Sequence, residues 1–268
     1  MKIDLSIICI NFNAFDLTHQ CIKGIRSNTK NISYEIIIIN NHPQSKASDV
    51  QKLKQFYEDS SQIKIFQSEN KGFGSANNLG SRRAQGKFLL FLNNDTIISD
   101  NSLEKMINYL KKNNNIGIIG PLFYTVKGEL QKHFCGDFQN LKSLIFFRKK
   151  EKEINLNQEF NSCEMTTGAA MMIEKKLFEK LGGFDEKFFM YFEDEDLCRQ
   201  ALKLGKINGI LTTAKITHLE GKSSNITTRK KMYYRSQNYY WRKHKGLFLE
   251  LIMRFFRFPY VLWQKIKK

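Results

Sequence analysis

Four acids stand side by side at Glu193, Asp194, Glu195 and Asp196, directly after the block Phe188-Phe189-Met190-Tyr191-Phe192. Adjacent carboxylates repel one another. The residues that follow, 194–204, carry a helical pattern stopped by Gly205, so the acids lie at a helix N-terminus. The helix dipole favours each carboxylate there by ~0.3–1 kcal/mol. Capping of this kind accounts for one or two acids and leaves the others in want of a use. A general base fits. The helix end keeps a carboxylate ionised near neutral pH, while the aromatic wall partly dehydrates it and raises its pKa toward a useful value. An ionised carboxylate beside a hydroxyl can take its proton as the hydroxyl attacks.

Three further sites carry candidate chemistry. Asp95 closes Asn93-Asn94-Asp95 after the apolar run 88–92. A carboxylate among amides suits Mg2+ or Mn2+, hard cations that take few protein oxygens and complete their shell with diphosphate and water. A turn cap into Thr96 explains the same aspartate equally simply, and taken alone it is the commoner case. His218 lies in Ile216-Thr217-His218-Leu219-Glu220-Gly221, after an apparent strand. A lone histidine is more often structural than a ligand. The loop 70–80 holds three glycines and three asparagines, which let backbone N–H groups approach a phosphate or ribose closely. It lacks both GxGxxG and GxxxxGK[ST], so a dinucleotide site or P-loop is poorly supported.

Something must bring these residues together. Short apolar runs at 5–10, 35–39, 63–67 and 88–92 read as buried strands. Helical stretches at 15–27, 48–57 and through Arg83 alternate with them, and the second strand closes on the turn Asn40-Asn41-His42-Pro43. Strand–helix alternation with short connections predicts an α/β fold, a mostly parallel sheet with helices on both faces. Such sheets bind ligands at the C-terminal ends of their strands. The polar clusters at 11–13, 40–42, 70–74 and 93–95 all fall there and should share one rim. Beyond it, 102–112 and 174–181 read as helices, the latter capped by Gly182-Gly183. The stretch 123–163 reads as irregular.

Composition narrows the field. The 268 residues allow one large domain or two small ones. Hydrophobic content of 41% suits a packed core and excludes a disordered chain. The five cysteines are scattered without a CxxC pair, which argues against a disulfide framework or zinc site and fits a reducing cytosol. The start does not read as a signal peptide, and no uncharged stretch reaches the ~18–20 residues of a membrane span. The formal charge of +17 calls for an anionic partner. Residues 229–268 supply +11 of it, with 12 Lys or Arg against Glu250 alone. Glu250, Arg254 and Arg257 fall on one helical stripe of an otherwise apolar and aromatic tail. Pro259 should kink or break that helix. The pattern suits an interfacial helix over 246–268 on an anionic membrane, with Trp263 and the lysines at the headgroups. A helix packed on the core or on a second subunit is the plainer account.

The ordered series of segments carries a resemblance. Ser6-Ile7-Ile8 with Asn11-Phe12-Asn13, the run 35–41, Asn70-Lys71-Gly72-Phe73 with Ala76-Asn77-Asn78-Leu79-Gly80, and Leu92-Asn93-Asn94-Asp95-Thr96 come first. Thr167-Gly168-Ala169, Gly182-Gly183-Phe184-Asp185-Glu186, the run 188–198, and His218 with Gly221 and Ser223 follow. Over about residues 3–245 the chain resembles the family-2 glycosyltransferases of the GT-A fold, especially the rhamnosyltransferase-like branch that builds bacterial surface polysaccharides. The resemblance implies a GT-A (Rossmann-like) domain over 1–228, with a nucleotide-binding half at about 1–100 and an acceptor-side half at about 101–228. A basic amphipathic segment, 229–268, follows.

The same resemblance implies roles. Asp95 would hold Mg2+ or Mn2+ on the donor diphosphate, and His218 matches a position that completes the metal site in some relatives. Asp194 would be the base, with Glu193 as its fallback. Asn11, Asn13, Asn40, Asn41, Asn70, Gly72, Phe73, Asn77, Asn78, Asn93 and Asn94 would line the nucleotide. The implied reaction is inverting transfer from a nucleotide-diphosphate sugar (dTDP-rhamnose or a UDP-sugar) to a hydroxyl of a glycan or lipid-linked acceptor. The expected setting is cytoplasmic, peripheral on the inner face of the cell membrane, with no nucleic-acid partner. A non-catalytic basic nucleic-acid-binding protein is the rival, favoured by charge alone. Two departures stand out. Ile39-Asn40-Asn41 replaces the family's usual Val-Asp-Asn or Val-Asp-Asp, so an amide stands where a carboxylate helps read base and ribose. Gln200 stands where the pattern Asp-Leu-Cys-x-Arg ends in arginine.

Overall fold

The computed structural model describes residues 2–42, 47–141, 152–219 and 226–266, with backbone alone at 47–48, 226–227 and 260–266. Its first half is β1 (Leu5–Asn11), α1 (Phe15–Asn28), β2 (Tyr34–Asn40), α2 (Ala47–Tyr57), β3 (Ile63–Gln67), α3 (Phe73–Arg83) and β4 (Phe88–Asn93). Then come β5 (Thr96–Ile97), α4 (Ser102–Lys112), β6 (Ile116–Tyr124), β7 (Cys135–Gly136), β8 (Phe160–Ser162), β9 (Met165–Thr166) and β10 (Ala170–Glu174). The chain continues through α5 (Lys175–Lys180), α6 (Glu193–Lys203), β11 (Ile207–His218), α7 (Ile226–Lys245) and α8 (Leu247–Ile266).

The main sheet runs β3-β2-β1-β4-β10-β6-β11-β5, with β8 also paired to β11. Its β3-β2-β1-β4 half is parallel, as the strand–helix alternation predicts. Each isoleucine from Ile36 to Ile39 is fully buried, because helices cover both faces. Ile36 and Ile38 join Leu5, Ile7 and α4's Leu103, Met106 and Ile107 on one side. Ile37 and Ile39 join Ile8, α3's Ala76, α5's Phe178 and α6's Leu197 on the other. The period of two along the strand assigns alternate side chains to the two layers.

The second half departs from the sequence reading in its strands. β10 enters antiparallel between β4 and β6, and β6 and β11 form a parallel pair with irregular register. The stretch expected to be irregular holds the end of β6 together with β7 and β8. Residues 142–151 of it lie outside the described residues, as do Pro43, Gly221 and Ser223.

The tail is a helical hairpin turned at Gly246, whose φ of +86° suits a residue without Cβ. The expected division at 228/229 falls inside α7. This helix buries Tyr240 and Trp241 against Phe188, Phe192 and Met253. Of the kink or break expected at Pro259, the break does not occur: α8 continues through it to Ile266. Proline removes one backbone donor, and the hydrogen bonds on either side still carry the helix across it. Among the described residues no helix is long and apolar enough to cross a membrane. The Trp263 side chain lies outside the described residues.

Candidate active site

The strand-end clusters do meet on one rim, and amides tie them together. Thr18 Oγ1 donates to Asn11 Oδ1 at 2.8 Å, Asn11 Nδ2 to Asn40 Oδ1 at 2.8 Å, and Asn40 Nδ2 to Gln67 Oε1 at 2.7 Å. Gln67 Nε2 ends the relay on the His42 carbonyl at 2.8 Å. Parallel register explains the alignment, since Asn11 faces Asn40 and Asn40 faces Gln67 across β1-β2-β3. Buried amides in a fully bonded chain hold a single arrangement. Asn11 and Asn40 are thus buried and engaged within the protein.

Their neighbours are less committed. Asn41 is 5% exposed, its Nδ2 reaches Asn70 Oδ1 at 3.3 Å, and its Oδ1 has no hydrogen-bond partner. Exposed Asn13 holds φ +49°, and the exposed ring of Phe12 lies 5.0 Å from His42, centroid to centroid. At Gly72, φ is +106° and a Cβ would run into the Phe189 carbonyl. The next N–H, on Phe73, donates to that same carbonyl at 2.9 Å. The loop 70–74 is thereby fastened to the aromatic block before the acid run. Asn77 bonds back to the Phe73 carbonyl. Asn78 exchanges bonds with the Phe184 backbone at 2.8 and 2.9 Å. It holds the Gly-Gly-Phe-Asp-Glu segment and sits buried beneath it.

Asp95 and His218 meet as expected. β5 pairs antiparallel with β11 so that His218 faces Thr96, and the Leu219 N–H donates to the Asp95 carbonyl at 2.8 Å. His218 Nε2 lies 3.3 Å from Asp95 Oδ1. Gln131 fixes the ring from behind. Its Nε2 donates to the His218 carbonyl at 2.7 Å, which turns its Oε1 toward Nδ1 at 3.3 Å. That network fixes the ring with Nδ1 toward Gln131 and Nε2 toward the Asp95 carboxylate. An imidazole and a carboxylate are fitting donors for Mn2+ or Mg2+. Among the described residues no third His, Cys, Asp or Glu completes a cluster. Asn93 and Asn94 stand alongside; Asn94 Nδ2 donates to Thr18 Oγ1 at 3.0 Å.

The acid run divides its labour. Tyr191 and Phe192 both adopt left-handed φ, +72° and +70°, immediately before α6 begins at Glu193. Two such residues in succession are strained and need surrounding structure to hold them. Asp194 accepts the Gly168 N–H on Oδ2 and the Glu195 N–H on Oδ1, each at 2.9 Å. Burial nevertheless outweighs these donors and raises its pKa above the ordinary aspartate value. Glu193 is 5% exposed, and its Oε2 lacks a partner. Desolvation, with the Asp194 charge second, pushes it well above the usual carboxylate range. Glu195 is pushed to about 8 by the same two causes.

Asp196 is fully buried and serves the architecture. It receives His244 Nε2 at 2.6 Å, Lys243 Nζ at 2.9 Å and Gln200 Nε2 at 2.8 Å. Gln200, the departure from Asp-Leu-Cys-x-Arg, is one turn on and supplies a neutral donor. The cations come from α7 instead. Arg199 donates to Tyr240 Oη at 2.8 Å and stacks over Phe138 at 3.9 Å. So α7 is joined to α6 at the latter's first two turns.

The two centres are joined by backbone. The Asn93 N–H donates to the Ala169 carbonyl at 2.9 Å, and the adjacent Gly168 donates to Asp194. Gly168, Gln131, Lys243 and His244 were not singled out by residue type. Gly168 alone had a sequence signal, in Thr167-Gly168-Ala169.

Comparison with known proteins fits this arrangement. Residues 6–182 match the model of "Glycosyl transferase family 2". An uncharacterized glycosyltransferase of Rickettsia typhi is 29% identical over 76% of this chain and 60% of its own length. The dTDP-rhamnosyl transferase RfbF of Shigella flexneri is 27% identical over 63% of this chain and 58% of its own. The mannosyltransferase PcManGT from Pyrobaculum calidifontis, solved with GDP-Man and Mn2+, superposes with a TM-score of 0.62 at 13% identity, covering 89% of this chain and 62% of that one. The likeness is one of GT-A fold. The chain spans less than two thirds of the length of each of these three proteins.

Proposed function

This chain belongs to glycosyl transferase family 2, and on that premise we propose that it is an inverting, metal-dependent glycosyltransferase. It moves a sugar from a nucleotide-diphosphate donor, dTDP-rhamnose or a UDP-sugar, to a hydroxyl of a glycan or lipid-linked acceptor in cell-surface polysaccharide biosynthesis. The named activity of the Shigella relative supports the rhamnosyl option. One observation carries the reading. The adjacent residues Gly168 and Ala169 join the strand end that bears Asp95 to the helix end that bears Asp194. A candidate metal site and a candidate base thus share one rigid connection.

Asp95 and His218 would hold the divalent cation, which as a Lewis acid neutralises charge on the departing diphosphate. Asp194 deprotonates the acceptor hydroxyl, whose oxygen attacks the anomeric carbon opposite the leaving group. The configuration inverts in this single displacement. The raised pKa makes Asp194 a stronger base than a solvated aspartate, while two backbone donors keep it oriented. Burial disfavours the ionised form of Glu193, which leaves it the fallback base. Asn13, Asn41 and the Phe12–His42 pair face the nucleotide. Asn11, Asn40, Asn70, Gly72, Phe73, Asn77, Asn78, Asn93 and Asn94 shape the rim that receives it.

The protein works at the cytoplasmic face of an anionic membrane. α8 turns its polar stripe inward: Glu250 is buried against Arg242 at 2.8 Å, and Arg257 binds Gln237 and Asn238 of α7. Its apolar residues Phe248, Phe255 and Phe258 are left 74%, 76% and 64% exposed. A helix in this attitude suits an interface.

The test is a calorimetric titration of nucleoside diphosphates and nucleotide sugars, with and without Mn2+, followed by NMR of the product's anomeric configuration. Metal-dependent binding of one donor and inversion are expected. Binding of none of them, or retention, would overturn the proposal.

A further inference from the structure

The two tail helices enclose a cleft of about 220 Å³, lined by Arg235, Asn238, Tyr239, Arg242, Glu250 and Arg254. Its charges do not balance. Three arginines and one glutamate contribute to its lining. Arg242 grips Glu250 Oε2 through both Nε and Nη2 at 2.8 Å, and Arg254 Nη1 lies 3.5 Å from Oε1. Exposed Arg235 makes no ion pair among the described residues. The cleft therefore holds an excess of two positive charges. The planar forks of arginine match phosphate oxygens in geometry as well as in sign.

The cleft also has an apolar margin. Leu247, Leu251, Phe255 and Phe258, at i, i+4, i+8 and i+11, form a stripe that is 50–76% exposed. At 100° per residue this stripe runs about 60° round α8 from Arg254. A guanidinium cleft flanked by an aromatic stripe matches one kind of occupant: a phosphate group attached to a hydrocarbon chain, its charge in the cleft and its chain along the stripe. We propose that Arg235, Arg242 and Arg254 form a binding site for a lipid phosphate. The proposal rests on the membrane-facing reading of α8, and it adds a discrete headgroup site to a general surface attraction. The phosphate has two sources, a bulk anionic phospholipid or a lipid-linked phosphate.

The experiment is flotation of the full chain with three vesicle types: phosphatidylcholine alone, the same with phosphatidylglycerol, and the same with a polyprenyl phosphate. The wild type is expected to float with both net-anionic types and weakly with the first. Arg235→Gln/Arg254→Gln should lose about thirtyfold in partition to those two types, at the usual strength of a basic residue near an anionic surface. It should keep the weak phosphatidylcholine binding, which Leu251→Ser/Phe255→Ser should lose. Arg235→Gln alone removes no ion pair, so its expected loss of about fivefold keeps the test valid if the double variant melts. Preference for polyprenyl phosphate over phosphatidylglycerol assigns the site to a lipid-linked phosphate; equal binding assigns it to bulk headgroups. Unchanged partition of Arg235→Gln and the double variant overturns the site. Nucleotide-sugar binding, measured on the same samples, is a separate readout: its absence sinks the glycosyltransferase proposal and leaves the lipid result standing.

Discussion

The molecule carries two acidic centres that are built by opposite means. Asp95 is set by main chain: its position follows from β5 pairing with β11, which puts Thr96 opposite His218. Asp194 begins a helix whose entry is strained at Tyr191 and Phe192 and whose first turn is clamped from outside through Asp196, Lys243 and His244. The first centre is as firm as the sheet. The second is only as firm as the packing of a helix from the chain's other end. A metal site must present fixed ligands, whereas a base must meet an acceptor that arrives from solution or from a lipid. The contrast teaches that the two candidate centres are anchored to different parts of the fold.

Breaking each centre alone is the strongest test of this contrast. Asp194→Asn keeps the Gly168 contact in outline but cannot take a proton. Its kcat should fall by about 10²–10⁴, with nucleotide-sugar affinity unchanged in calorimetry. Near-normal turnover would mean that the base lies elsewhere. Gln131→Ala removes the support behind His218. Mn2+ affinity, followed by electron paramagnetic resonance, should drop by about 10–100-fold, while the pH dependence of kcat at saturating metal stays in place. Lys243→Met should do the reverse. It loosens α6 through Asp196 and lowers kcat by about tenfold without altering Mn2+ affinity. Equal damage to metal binding by Lys243→Met would collapse the distinction between the two centres.

Two pH measurements sharpen the comparison. Asp194 must be ionised to act, and its pKa is raised by burial. Activity should therefore be lost on acidification at a pH above the ordinary aspartate value, and Lys243→Met, by admitting water, should move that limb down. Stability responds with the opposite sign. Glu195 binds its proton more tightly in the folded state, up to about 8, than an unfolded glutamate does. Its contribution is present at low pH and is lost as pH rises through about 8. Melting temperature should decline over that range, and Glu195→Gln should flatten the decline.

What could be read in advance follows the same divide. β1 to β4 announce themselves as apolar runs because they are covered on both faces, and their rim follows from that. β10, by contrast, is Ala-Met-Met-Ile-Glu, and its strand character comes from insertion between β4 and β6. Asp95 and His218 were legible as a pair through family resemblance; Gln131, which orients the histidine, carries no local mark. Asn78 was expected to face the nucleotide. Its amide is taken by Phe184, 106 residues on, a contact that side-chain type cannot reveal. The tail shows the same limit. Its charge excess was visible, but a count of lysines gives no address, and Lys243 and His244 find a buried aspartate 47 and 48 residues earlier.

The peptide groups at Gly168 and Ala169 act as a caliper. They span the gap between the strand end that bears Asp95 and the helix end that bears Asp194 with one backbone bond and one bond to the Asp194 carboxylate. On the proposed function, loops on the acceptor side can vary in length without moving this span. A scaffold gauged in this way can change its customers without relearning its trade.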